Sequence, residues 1–184
     1  MQKKGREAKP HIGIYGKRNY GKSSFINRLA GQEIAIVSEV PGTTTDPVKK
    51  SFEITGFGPV ILLDTAGIDD EGELGTKRIQ KTFSSIDTID LAILLIAHNE
   101  FGAFEQKLIN RFRELDVPYL IIHSKSDEET IKPDLKAKLE KETDNPLIEY
   151  DNIKAENLQQ IIDLIRITIP ESSYKSIFSE TTCG

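Results

Sequence analysis

Eight residues near the N-terminus have the types and spacing of a phosphate-binding loop. Residues 16–23 read GKRNYGKS, which has the form G-x-x-x-x-G-K-S/T. The two glycines let the backbone wrap a phosphate, Lys22 supplies a mobile positive charge, and the Ser23 hydroxyl can ligate Mg²⁺. A strand-like apolar run precedes the loop and a helix-like one follows it. The stretch predicts a nucleoside-phosphate site; the alternative interpretation is a glycine-rich turn that caps a helix.

A second motif with phosphate chemistry follows a later apolar run, at residues 64–67 (DTAG). Asp64, at the end of a predicted strand, can hold Mg²⁺ through water, and the backbone N–H of Gly67 can sense a γ-phosphate. Between the two motifs lies a loop over residues 38–47 that is rich in hydroxyls. A threonine there could complete the Mg²⁺ shell when triphosphate is present, although a polar turn is an alternative.

The residues that could select a base follow another predicted strand, at positions 124–127 (SKSD). The Asp127 carboxylate can accept hydrogen bonds from two N–H groups of guanine, whereas adenine would present an acceptor opposite it. The stem of Lys125 can pack along the base plane. This motif therefore favours guanine over adenine.

Alternating apolar segments must position these motifs. Strands are predicted at residues 11–15, 50–54, 60–63, 91–97, 119–122 and 147–150. Helices are predicted at residues 25–30, 79–86, 104–112, 135–139 and 158–165. The acidic, glycine-containing stretch 67–75 is predicted to be a loop. The order predicts an α/β fold with a mostly parallel six-stranded sheet, one antiparallel edge strand, helices on both faces, and ligand at the carboxyl ends of the strands.

Length and composition favour one compact domain. The 184 residues are 38% apolar, which is enough for a substantial core. We expect a disordered basic tail at residues 1–9, a folded domain at 10–170, and a linker or the start of a following domain at 171–184. Cys183 is the only cysteine, so no disulfide can form within this chain.

Charge and hydropathy bear on partners and location. The net charge of −5 argues against a nucleic-acid partner, although the N-terminal tail is locally basic. No apolar run approaches the roughly 20 residues of a membrane span, and no signal peptide precedes the first strand. We therefore expect a cytoplasmic protein with no membrane partner.

Together the motifs resemble the conserved nucleotide-binding motifs of the translation-factor-like small GTPases. Residues 16–23 correspond to G1, 43–45 to G2, 64–67 to G3 and 124–127 to G4. Within that class, residues 42–48 (GTTTDPV) and 64–75 (DTAGIDDEGELG) closely resemble the GTPase domain of HydF, the FeFe-hydrogenase maturation family in the TrmE/Era-like group. The resemblance implies a P-loop G domain that acts as a GTP-hydrolysing switch in H-cluster maturation. An Era/TrmE-like GTPase in ribosome assembly or tRNA modification is an alternative, as is a guanine-nucleotide-sensing module with little turnover.

The same resemblance implies cofactors and partners. The cofactors are GTP or GDP, Mg²⁺ and K⁺, and the first partner is guanine nucleotide itself. Through a full-length protein, hydrogenase maturation partner proteins and apo-hydrogenase would be further partners. A homodimer of G domains is left open.

Residue roles are carried over from the family motifs. The resemblance implies a catalytic set of Lys22, Asn19, Thr44 and Gly67. It implies Mg²⁺ ligation by Ser23, Thr44 and Asp64, and K⁺ ligation by Asn19. The implied nucleotide-binding residues are Gly16, Lys17, Arg18, Asn19, Tyr20, Gly21, Lys22, Ser23, Ser24, Thr43, Thr44, Asp64, Gly67, Ser124, Lys125 and Asp127.

The sequence departs from the family pattern at Ile68, at Ser124 and at residues 151–152. Ile68 stands where Ras-like enzymes have a glutamine that orients the attacking water, and isoleucine cannot form that hydrogen bond. We therefore expect slow intrinsic turnover, with the catalytic site completed by K⁺, by a partner, or by an acidic residue such as Glu71 or Glu73. Ser124 replaces the usual asparagine of G4 and is expected to be too short to make the same bonds to the P-loop and base. Residues 151–152 (Asp-Asn) stand where G5 usually has Ser-Ala.

Overall fold

The computed structural model describes residues 9–17, 20–30, 35–38, 47–54, 56–65 and 72–169, and the structural statements below concern these residues. The strands are β1 (His11–Tyr15), β2 (Ala35–Ser38), β3 (Val48–Ile54), β4 (Gly58–Asp64), β5 (Leu91–Ala97), β6 (Tyr119–Ser124) and β7 (Ile148–Glu149). The helices are α1 (Lys22–Ala30), α2 (Gly72–Ser85), α3 (Ala103–Glu114), α4 (Pro133–Glu140) and α5 (Leu158–Thr168).

The strands form one sheet in the order β2-β3-β4-β1-β5-β6-β7. β3 runs antiparallel to both of its neighbours, and the pairs from β4 through β7 are parallel. The predicted α/β fold with one antiparallel strand is confirmed. It differs from the prediction in one respect: the four-residue β2 pairs outside β3. The sheet therefore has seven strands, and its antiparallel strand is not at the edge.

The apolar side chains form two clusters, one on each face of the sheet. Along β5, Leu91, Ile93 and Leu95 enter the first cluster, while the intervening residues enter the second. All seven residues of β5 are buried, which explains why this strand is continuously apolar in sequence.

Helices cover both faces, as predicted. The first cluster takes Phe25, Ile26 and Leu29 from α1 and Ile161, Ile162 and Ile165 from α5. The second takes Leu108, Ile109 and Phe112 from α3 and Leu139 from α4. None of the helices in the described ranges is long and apolar enough to cross a membrane.

Helix α2 begins earlier than the sequence pattern predicts. Residues 72–75, expected to belong to a loop, form its first turn. Residues 66–71, the rest of the predicted loop, lie outside the described ranges.

Candidate nucleotide-binding site

The three sequence motifs meet at the carboxyl ends of the parallel strands. β1, β4, β5 and β6 are parallel, so their carboxyl ends lie together. Gly16 directly follows β1, Thr65 follows β4, and Lys125 follows β6. This is the edge where open α/β sheets bind ligands.

The backbone of the loop after β1 depends on its two glycines. Gly16 has φ +153°, and a Cβ there would lie 2.8 Å from the backbone oxygen of Leu95. Gly21 has φ +84°, a region that residues with side chains rarely adopt, and the space where its Cβ would lie is open. Helix α1 begins immediately afterwards at Lys22, and Gly21 O accepts its first helical bond, from Phe25 N, at 2.9 Å. The earlier amides of this turn can therefore bind an anion.

Lys22 connects the loop to the end of β4. Its side chain is buried, and Nζ donates a hydrogen bond to the backbone oxygen of Thr65 at 2.6 Å. The Thr65 hydroxyl in turn donates to the backbone oxygen of Ile14 at 2.6 Å. Two of the predicted motifs are thus joined by hydrogen bonds. Ser23 and Ser24, the next residues of α1, are exposed and accessible to a ligand.

Ser124 joins the third motif to the same loop. Its Oγ lies 2.6 Å from the backbone oxygen of Tyr20 and 3.2 Å from that of Ile96, and its single O–H serves these two acceptors. Ser124 reaches the P-loop, because β6 extends to this residue and brings its buried hydroxyl beside the loop. That serine cannot make the same bonds to the P-loop and base as asparagine stays a prediction. One hydroxyl therefore links the base-selecting and phosphate-binding segments.

Replacing Ser124 with alanine is expected to lower the free energy of unfolding by about 1–2 kcal/mol, since the Tyr20 and Ile96 carbonyls lose their donor. Urea denaturation measures this change. Ser124→Thr keeps the hydroxyl and should lose less stability, and Ser126→Ala, in the adjacent loop, serves as the control. A Ser124→Ala protein as stable as the unaltered chain would contradict the role of this bond.

The segment after β6 turns tightly and presents Asp127. Lys125 has φ +55°, and its backbone oxygen accepts hydrogen bonds from the amides of Glu128 and Glu129 at 2.9 and 3.2 Å. Asp127, inside this turn, is exposed. Its carboxylate is accessible to a ligand at the edge of the sheet.

The loop after β7 lies beside this turn. Ser126 N donates to the backbone oxygen of Tyr150 at 3.2 Å, which brings residues 151–152 close to the G4 segment. Burial raises the pKa of the Tyr150 hydroxyl to about 12, so it stays protonated and donates to Asn152 Oδ1 at 3.0 Å. Asp151 Oδ1 accepts the amide of Lys154 at 2.7 Å. Asp151 and Asn152 therefore occupy an ordered loop at the position expected for G5.

Sequence reasoning missed two acidic residues after β5: Glu100, in the loop before α3, and Glu105, in the first turn of α3. Glu100 Oε2 accepts a hydrogen bond from the Tyr20 hydroxyl at 2.7 Å. Glu105 is fully buried; its Oε1 accepts the amide of Gly102 at 2.7 Å, and its Oε2 lies 3.9 Å from Lys17 Nζ. The glutamate three residues after a helix cap was a usable signal for Glu105. These contacts support the phosphate-binding loop from the α3 side.

Sequence reasoning also missed Lys50 on β3. Its Nζ lies 3.1 Å from Asp64 Oδ2, and the two side chains are 21% and 19% exposed. The sequence pattern predicted that residues 50–54 form a strand, but it contained no indication that the Lys50 side chain contacts the end of β4.

Several predicted site residues lie outside the described ranges. These are Arg18, Asn19, Thr43, Thr44 and Gly67, together with Ile68 and Glu71. In the described part of the chain, no group of three His, Cys, Asp or Glu side chains could hold a metal ion by itself. The Ser23 hydroxyl and the Asp64 carboxylate are oxygen donors, which Mg²⁺ prefers, and such a site takes its other ligands from water and nucleotide phosphates.

A parallel sheet whose first strand leads through a Gly-x-x-x-x-Gly-Lys-Ser loop into a helix defines a P-loop nucleotide-binding protein. The chain belongs to the family described as 50S ribosome-binding GTPase, whose model matches residues 11–125.

Relatives of this chain are GTPases. It is 37% identical over 149 residues to the tRNA modification GTPase MnmE of Nitrosomonas europaea, covering 79% of this chain and 32% of that protein. It is 33% identical over 169 residues to the GTPase Der of Clostridium botulinum, covering 85% of this chain and 38% of Der. The chain thus spans about a third of the length of these curated relatives.

Solved structures share the fold. Aquifex aeolicus Era bound to GDP and AlF4⁻ superimposes with a TM-score of 0.69 at 24% identity, covering 88% of this chain and 57% of Era. The G domain of the T. maritima FeoB iron transporter gives a TM-score of 0.63 at 20% identity, covering 85% of this chain and 96% of that domain.

Proposed function

We propose that this chain binds and hydrolyses GTP as the molecular switch of a TrmE/Era-type GTPase. The observation that carries the proposal is the meeting of the three motifs at one edge of the sheet. There Lys22 is bonded to Thr65 and Ser124 to Tyr20. Membership of the GTPase family supports the same activity.

Each residue has a proposed part in this reaction. Backbone amides at the start of α1 and the Lys22 ammonium bind the β- and γ-phosphates. Ser23 and Asp64 supply oxygen ligands for Mg²⁺, which would neutralise charge that develops on the phosphates. Lys125 and Asp127 hold the base, and the two N–H groups of guanine that face the Asp127 carboxylate select GTP over ATP.

The residues outside the described ranges keep the roles that the resemblance implies. Thr43 and Thr44 complete the phosphate and Mg²⁺ contacts, Gly67 senses the γ-phosphate, and Arg18 contributes to the phosphate-binding loop. Asn19 ligates K⁺, whose charge would act beside the phosphates where other GTPases use an arginine. We further propose a cytoplasmic protein.

Steady-state GTP hydrolysis in K⁺ and in Na⁺, at equal ionic strength, tests the proposal. We expect hydrolysis to be at least about tenfold faster in K⁺, because a fixed cation stabilises charge that develops in the transition state. Asn19→Ala should abolish the difference, while Asn27→Ala, exposed on α1, should retain it.

Two results would contradict this proposal. Equal rates in the two salts would exclude K⁺ assistance and favour a switch completed by a partner. Binding of GTP without repeated turnover in either salt would instead favour the nucleotide-sensing module.

The relatives favour an RNA-linked process for this switch. MnmE is named a tRNA modification GTPase, and one Era structure contains a segment of 16S ribosomal RNA. Filter binding of the chain to tRNA and to ribosomal RNA fragments at low salt, with GDP or a GTP analogue, tests this role. We expect binding to depend on the nucleotide, and absence of binding to both RNAs would contradict it.

Hydrogenase maturation is a second candidate, favoured by the sequences of residues 42–48 and 64–75. The relatives named above are not hydrogenase maturation proteins, so the sequences of these two loops are the sole support for this function. Its test is nucleotide-dependent association of the chain with purified hydrogenase maturation proteins or apo-hydrogenase. Association with them and none with RNA would favour maturation over the RNA-linked role.

A further inference from the structure

Lys50 lies on the face of the sheet where the phosphate-binding helix begins. Side chains two residues apart on a strand share a face, so Lys50 shares its face with Phe52 and Ile54. Both belong to the cluster that α1 covers, together with Leu62 of β4. Asp64 follows Leu62 by two residues and therefore lies on this face as well.

The strand register explains why the two charged groups meet. Lys50 is opposite Leu62 in the antiparallel pair, and Val48 is opposite Asp64. Lys50 and Asp64 are therefore diagonal neighbours, a separation that a long side chain can span. Their charged atoms lie 3.1 Å apart, and about four-fifths of each side chain is covered. Such a pair is screened less by salt than one in open solvent.

We infer that Lys50 is a positioning residue that sets the Mg²⁺ affinity of the nucleotide site by competing with the metal for the Asp64 carboxylate. The inference rests on the proposed function, in which Asp64 is a Mg²⁺ ligand. An ammonium group at hydrogen-bonding distance from Asp64 repels a divalent cation that uses the same carboxylate. Mg²⁺ binding therefore requires Lys50 to move aside or to tolerate the metal nearby.

A purely structural role for the ion pair makes a different prediction. Cross-strand pairs of opposite charge stabilise a sheet modestly, and loss of such a pair would change the unfolding transition alone. The Mg²⁺ dependence of nucleotide binding would then be unchanged. Because the two roles differ in this readout, a binding measurement separates them without any hydrolysis.

The experiment titrates Mg²⁺ into the full chain with GDP and follows GDP affinity by calorimetry, with EDTA defining zero metal. Lys50→Met keeps the length of the side chain and removes its charge. We expect the Mg²⁺ midpoint to fall by about three- to thirtyfold, as loss of one nearby positive charge implies. GDP affinity in EDTA should change by less than about twofold. Lys49→Met, on the opposite face of β3, is the matched control and should leave the midpoint unchanged.

Each other outcome contradicts the inference. An unchanged midpoint in Lys50→Met would show that the ion pair is structural, and a higher midpoint would show that Lys50 supports Asp64 as a ligand. An equal shift in Lys49→Met would indicate a general effect of net charge. If the unaltered chain bound no GDP at any Mg²⁺ concentration, the proposed function would fail along with this inference. Normal GDP binding with an unmoved midpoint overturns this inference alone.

Discussion

Replacing Lys22 with methionine is expected to lower kcat/KM for GTP hydrolysis by at least about a hundredfold. The charge of the Lys22 side chain is proposed to reach the β- and γ-phosphates, and methionine keeps the length of that side chain without its charge. Initial rates over a range of GTP concentrations measure the effect. Lys107→Met, exposed on α3, changes the net charge equally and should retain activity.

The contact of Lys22 with Thr65 adds a structural effect to this variant. Its Nζ donates to the Thr65 carbonyl at 2.6 Å, so Lys22→Met leaves that oxygen without this donor. We expect a loss of about 1–2 kcal/mol in the free energy of unfolding, and the rates must be measured where the variant is still folded. Hydrolysis within about threefold of the unaltered chain, in a folded variant, would contradict the proposed part of Lys22.

Asp127→Asn is expected to weaken GTP binding by about 10²–10⁴-fold, since two charge-assisted hydrogen bonds of about 1.5–3 kcal/mol each are lost. The amide presents one acceptor and one donor, so its N–H₂ group opposes a guanine N–H. Xanthine has a carbonyl in place of the guanine amino group and matches the amide better. Competition between xanthosine triphosphate and GTP for the variant measures the expected reversal.

A charge-matched control separates base recognition from general electrostatics. Asp134→Asn removes one exposed negative charge on α4, and it should leave GTP affinity within about twofold. Unchanged preference for GTP in Asp127→Asn would mean that other groups select the base.

The sequence predicted the fold wherever both faces of a strand are buried. Residues 91–97 are continuously apolar because all are buried and 91–96 alternate between the two core clusters, and this run predicted β5 with its observed bounds. The P-loop was equally readable, because the turn at Gly21 requires a residue that tolerates a positive φ. Local chemistry determines both features, so the sequence carries them.

Features that depend on pairing across the sheet were not predictable. β2 has only four residues, and its pairing with β3 defines it. The reach of Ser124 to the Tyr20 carbonyl depends on where β6 ends relative to the P-loop, and that distance has no local signal. The contact of Lys50 with Asp64 likewise follows from strand register. The first turn of α2 was missed because glycine spacing resembles a loop.

The core cluster on the α1 face has a consequence for synthesis of the protein. In this cluster Ile12 of β1 and Phe25 of α1 pack with Ile161 and Ile165 of α5, which lie more than a hundred residues later in the sequence. Contacts so distant in sequence form late, because a long loop must close before they stabilise anything. On the ribosome, the apolar side chains of β1 and α1 cannot be fully buried until α5 has left the exit tunnel. A nascent chain should therefore acquire nucleotide binding only after translation has passed α5, and until then its apolar strands are exposed to chaperones.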